Sequence, residues 1–135
     1  MPTATVLVLG ELPEIVDIGG IEVVPSADGA IPLIARVCAE ITRLAPTPPL
    51  VIVTQGELAL LLPGIALAQR TARRSVLAYV LVDPVLPAVS EQWPDARVHV
   101  VGRAGFELRA AELRGWDVHD DGDLPGLVVG LAAEG

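Results

Sequence analysis

The chain has 135 residues, a length that fits a single domain with a core of its own. Hydrophobic residues make up 52% and aromatics only 3%, so that core has to be built from Val, Leu, Ile and Ala, the composition of strands buried on both faces. The formal charge of −8, with no basic stripe, excludes nucleic acid as an expected partner and serves to keep an apolar protein in solution.

Cys38 is the single cysteine, so no internal disulfide forms and a cytoplasmic setting is expected. The start carries no basic n-region of a signal peptide. The apolar stretches are too short and too interrupted by Pro and Gly to span a membrane, so no membrane partner is expected. One Cys and two well-separated His residues do not build a zinc site, and neither a metal nor a cofactor is expected.

In chain order, Thr5 to Leu9 is a continuous apolar run closed by Gly10 and reads as a first buried strand. Glu11 to Gly20 reads as a loop. Ile21 to Val24 reads as a second strand stopped by Pro25. Ser26, Asp28 and Gly29 supply cap and turn chemistry for a helix with Pro32 near its first position, running to about Leu44. Ile31, Ile34, Val37, Cys38, Ile41 and Leu44 form its apolar stripe, which makes Cys38 a small core residue. The stiff segment Pro46 to Pro49 leads to a third strand, Leu50 to Thr54. A second helix is predicted from Glu57 to about Arg74, with a kink or restart at Pro63-Gly64 and Arg70, Arg73 and Arg74 as solvated charges at its end. Val76 to Val82 is a fourth strand, followed by a linker from Val85 to Gln92, and Arg97 to Val101 is a fifth. Phe106 to Arg114 reads as a helix ended by Gly115, Trp116 to His119 as a sixth strand, and the tail from Leu124 as a short final helix.

Strands alternating with helices predict a three-layer α/β fold. Its sheet is mostly parallel, of about six strands, with helices on both faces and right-handed crossovers. Ligands in such sheets bind beyond the carboxyl ends of the strands, where the polar residues Glu11, Gln55, Glu57, Asp83, Arg103 and Asp120 are expected to gather.

Val51 to Ala59 reads as strand, sharp turn and helix, the arrangement of a nucleophile elbow, with Gly56 at the tip where a serine would sit. Three stretches carry a resemblance: Thr54 to Ala66 with its Leu61-Leu62-Pro63, Ala78 to Pro87, and Trp93 to Val118. In their order and spacing they resemble the α/β-hydrolase fold family, in particular its small actinobacterial esterase-like branch. The resemblance implies a reduced α/β-hydrolase-like core without the family's usual first β-hairpin, and Pro87 to Trp93 leaves no room for its helical lid. It also implies that the catalytic set is broken. Gly56 stands at the serine position, Gln55 at the histidine that commonly precedes it, and Gly122-Asp123-Leu124 lacks the catalytic histidine. Asp83 matches a position where some members place their acid, and an acid alone does not run a triad.

Two expectations follow. The first is a protein without triad hydrolysis that binds a small apolar or acyl ligand or a partner protein, with Gly10, Glu11, Gln55, Gly56 and Arg103 around the ligand. The second is an isomerase, cyclase or lyase that uses Glu57, Asp83 or His119 for proton transfer beside the elbow N–H groups. The Ala-, Val-, Arg- and Pro-rich composition places either in specialised-metabolite biosynthesis, by analogy alone. His99 is expected to be buried with one hydrogen bond, Trp93 and Trp116 to anchor the packing, and Asp120, Asp121 and Asp123 to form a solvated turn. Apolar surface left bare by the missing lid and hairpin predicts a homodimer or a heteromeric partner. A flavodoxin-like or response-regulator-like module ranks below both readings, because the first strand lacks the acidic pair and the loops lack the glycine-rich phosphate fingerprint.

Overall fold

The backbone of a computed structural model, describing residues 3–90, 92–102, 108–120 and 123–135, forms one six-stranded sheet. The strands are β1 (Thr5–Leu9), β2 (Ile21–Glu22), β3 (Leu50–Gln55), β4 (Val76–Val82), β5 (Arg97–Gly102) and β6 (Asp117–Asp120). Their order is β2-β1-β3-β4-β5-β6, and every pairing is parallel. The sheet is therefore wholly, not mostly, parallel, in the doubly wound order 2-1-3-4-5 with a sixth strand added.

The helices are α1 (Pro13–Val16), α2 (Leu33–Leu44), α3 (Leu62–Thr71), α4 (Arg109–Leu113) and α5 (Leu124–Ala133), with a 3-10 helix at Gly56–Leu61. Because side chains alternate along a strand, the apolar runs split between two cores. Leu7, Leu9, Leu50, Ile52, Tyr79, Leu81, Val98 and Val100 face one side, under α2, α3 and α4. Val8, Val51, Val53, Ala78, Val80, Val82 and Val101 face the other, under α1 and α5. Each such fully buried aliphatic side chain contributes about 1.5–3 kcal/mol, which is how a chain with so few aromatics holds together.

Several local expectations are corrected. Glu11 to Gly20 is not all loop: Pro13 opens α1, whose Ile15 is fully buried beside Leu12. β2 stops at Glu22, two residues early, although Val23 still donates to the Val8 carbonyl at 2.8 Å. α2 begins at Leu33 without a side-chain cap. Asp28 instead closes its own turn by accepting from the Ala30 N–H at 3.0 Å, and Ile31 lies outside the helix, exposed.

The helix expected from Glu57 to Arg74 begins as a 3-10 segment and then makes the restart expected near Pro63-Gly64. Pro63 sits in the first turn of α3, where its missing N–H costs nothing, and the helix ends at Thr71. Arg70 pairs with Asp95 at 2.8 Å, and Arg74 donates to Gln69 at 2.8 Å. α4 covers less than the predicted helix, whose Phe106 and Glu107 lie outside the described residues. Gly115 ends it as expected, at φ +75. Asp123 proves to be the N-cap of α5, accepting from the Gly126 N–H at 3.1 Å. Asp121 lies outside the described residues.

The connection from β4 to β5 carries no helix among its described residues. Trp93 fills the core there, edge-on to Tyr79 (5.6 Å) and Trp116 (5.7 Å). No described helix is long and apolar enough to cross a membrane.

Candidate functional site

β1 and β3 lie side by side, but the chain leaves them toward opposite faces, to α1 and to the 3-10 helix and α3. Such a divergence opens a crevice at the carboxyl ends of the two strands. Gly10 and Glu11 form one wall and Gln55 and Gly56 the other. The Glu11 N–H donates to Gln55 Oε1 at 3.0 Å, so the carboxamide bridges the crevice. Gly10 permits this approach: at φ +117, a Cβ there would sit 2.8 Å from the Gln55 Cβ. The tip residue Gly56 has φ +60, the left-handed conformation for which glycine is suited, and nothing lies within 4 Å of where its Cβ would be.

Glu57 is exposed in the first turn of the 3-10 helix. Asp83 follows β4 with φ +44, rare for a residue with a side chain, and its N–H donates to the Val101 carbonyl at 3.0 Å. The Val85 N–H donates to the Gly56 carbonyl at 3.1 Å, tying the β4–β5 connection to the elbow. Glu57 and Asp83 thus belong to neighbouring strand ends beside Gly56. The Thr54 hydroxyl, fully buried one residue before Gln55, has no hydrogen-bond partner.

The crevice continues into two cavities. One, of about 230 Å³, is walled by Leu9, Val23, Val24, Pro25, Val37 and Leu58, with Gly10, Glu11 and Glu22 at its edge. The other, of about 360 Å³, lies toward α1 among Leu12, Pro13, Val16 and Asp17 and shares Glu11 and Glu22. Of these residues, sequence reasoning had singled out only Gly10 and Glu11 as a site. The available signal was the end of the second strand, Glu22-Val23-Val24-Pro25, because β2 neighbours β1 at the divergence.

His119 is not brought to the elbow. It stands on β6, three strand spacings or roughly 14 Å from β3, on the face that carries α5. Its partner is His99 on β5, with Nδ1 of His99 3.2 Å from Nε2 of His119 and the rings stacked at 5.4 Å. His99 is 5% exposed, and its Nε2 is buried without a partner. Burial pushes the His99 pKa down from its ordinary value, and the charges of His119 and Arg97 act in the same direction against Asp117 and Glu134. Asp117, paired with Arg97 at 2.7 Å, is held below the usual carboxylate range, chiefly by that hydrogen bond. Among the described residues no group of three or more His, Cys, Asp or Glu side chains converges on a cation site.

Arg103 lies outside the described residues. Cys38 is half-buried against the α2–α3 core, and burial raises its thiol pKa, the opposite of what a reactive thiolate needs.

Comparison with protein-family models, with curated proteins and with solved structures finds no match. The chemistry of the crevice is therefore read from its own residues: an apolar recess at a strand-end divergence, acidic at its rim, with a bare turn tip.

Proposed function

We propose that this protein is a non-hydrolytic α/β-hydrolase-like domain that binds a small apolar or acyl ligand at the carboxyl ends of β1, β2 and β3. The observation that carries this reading is the apolar cavity of about 230 Å³ beside Gly10 and Glu11, at the divergence where ligands of doubly wound sheets bind. Two features support the absence of triad chemistry. The tip of the turn after β3 is Gly56, which offers no nucleophile, and His119 belongs to a pair with His99, three and two strands from β3 respectively. A third concerns the oxyanion hole, which in an elbow takes one backbone donor from the loop after a nearby strand. The Glu11 N–H, in such a loop, is already engaged by Gln55.

The same reading includes a partner or second copy covering exposed Val24, Ile31, Leu33, Leu60 and Leu67, and a cytoplasmic location in which Cys38 stays reduced. Sedimentation showing a monomer at micromolar concentration removes the dimer.

A fluorophosphonate probe tests the catalytic half, and it is expected to leave the protein unlabelled. Labelling above the heat-denatured control overturns it. Chemical-shift mapping with hexanol tests the binding half, with perturbation expected at the amides of Val23, Val24, Val37 and Leu58. Absence of any perturbation there overturns it.

A further inference from the structure

The two cavities meet at Glu11 and Glu22, and among the described residues neither is lined by a positive charge. Glu11 follows β1 and Glu22 ends β2, opposite Val8 in the register, so adjacent strands deliver both carboxylates to the mouth of the recess. All nine basic residues of the chain are arginines. Those with described side-chain partners are engaged elsewhere. Arg36 holds the Ser26 and Ile31 carbonyls, Arg43 pairs with Glu40, Arg70 with Asp95 and Arg97 with Asp117. Arg114 donates to the Pro87 carbonyl and lies over Trp116. Among the described residues none forms an ion pair with Glu11 or Glu22, and neither carboxylate accepts a hydrogen bond.

A ligand entering the apolar recess brings its polar end to this rim. A carboxylate or phosphate end meets two like charges there, within a protein of net charge −8. A neutral hydroxyl end can donate a hydrogen bond to one of them but gains no attraction between opposite charges. An ammonium end is attracted by both while its chain lies against Val23, Val24, Pro25, Val37 and Leu58. From this complementarity we infer that the site takes an aliphatic amine, chain inward, with its ammonium between Glu11 and Glu22. The inference rests on the ligand-binding reading above, keeps its apolar chain and puts an amine in place of the acyl end.

The test is a chemical-shift titration of the full chain at neutral pH and low salt with hexylamine, hexanol and hexanoate. Hexylammonium is expected to bind about tenfold tighter than hexanol, since two exposed ion pairs contribute modestly each, and hexanoate weakest of the three. Added salt is expected to reduce the amine's advantage and leave hexanol unaffected. Glu11→Gln combined with Glu22→Gln is expected to abolish the difference in affinity between hexylamine and hexanol. Both positions are exposed, so the variant keeps its fold. Equal binding of hexylamine and hexanol by the unaltered protein overturns the amine inference and leaves the binding site standing. So does an amine advantage that survives the double substitution. If none of the three compounds perturbs the amides of Val23, Val24, Val37 and Leu58, both readings fall.

Discussion

The backbone N–H of Glu11 donates to the side-chain oxygen of Gln55 at 3.0 Å, joining the loop after β1 to the turn after β3 across 44 residues of sequence. The bond holds the two walls of the crevice at a fixed separation. Gln55→Ala is expected to cost about 1 kcal/mol and to release the Glu11 amide, read as faster hydrogen exchange at that residue. Gly10→Ala is expected to cost more, about 1–3 kcal/mol in denaturant unfolding, because it combines a left-handed backbone with a close approach to Gln55.

The burial of His99 beside His119 makes stability depend on pH. Burial lowers the His99 pKa below 6.5, so the unfolded chain binds more protons than the folded one as pH falls. The contribution is fully present above the unfolded value and is lost as pH drops from there through the folded pKa. His99→Leu is expected to flatten this acid limb when urea midpoints are compared between about pH 8 and pH 5. An unchanged slope in the variant would assign the limb to other groups.

Tyr79 is buried, and its hydroxyl donates to Asp95 at 2.5 Å while Arg70 holds the other carboxylate oxygen. Burial, then this hydrogen bond, pushes the phenol pKa far up, so the hydroxyl is a donor at neutral pH. Tyr79→Phe is expected to cost about 1–2 kcal/mol, limited because Asp95 keeps Arg70.

Trp93 sits edge-on between Tyr79 and Trp116 in a connection that carries no helix among its described residues. Trp93→Ala is expected to cost about 3–5 kcal/mol, the largest loss of any substitution named here, and to unfold the β4–β5 connection first in hydrogen exchange.

Pro63 opens α3 and does not interrupt a longer helix. Pro63→Ala is therefore expected to change stability by less than about 0.5 kcal/mol in thermal unfolding. A gain of several kcal/mol would mean that the proline breaks a helix.

Much of the architecture was legible along the chain. β1 and β4 match their predicted spans, because continuous aliphatic runs ended by Gly10 or by Asp83-Pro84 leave little choice of conformation. α1 was missed because four residues give too short a period to read, and only the burial of Ile15 against the core holds them helical. The restart at Pro63 was legible because a proline fits a first helical turn; the 3-10 form of Gly56–Leu61 before it was not. Gln55 and Gly56 were legible as the tip of a turn because glycine there answers a positive φ. The cavity residues Val24, Val37 and Leu58 were not, since they read as ordinary core.

Sequence alone determined the parallel α/β class, the aliphatic core and the absence of a serine at the tip after β3. Each follows from local periodicity or from residue identity, which need no distant partner. Tertiary structure decided which strands are neighbours. That order sets Glu22 beside the crevice, pairs His99 with His119, and keeps both histidines from Gly56. Strand order depends on the free energy of packing helices on two faces at once, a property of the whole sheet that no single segment encodes.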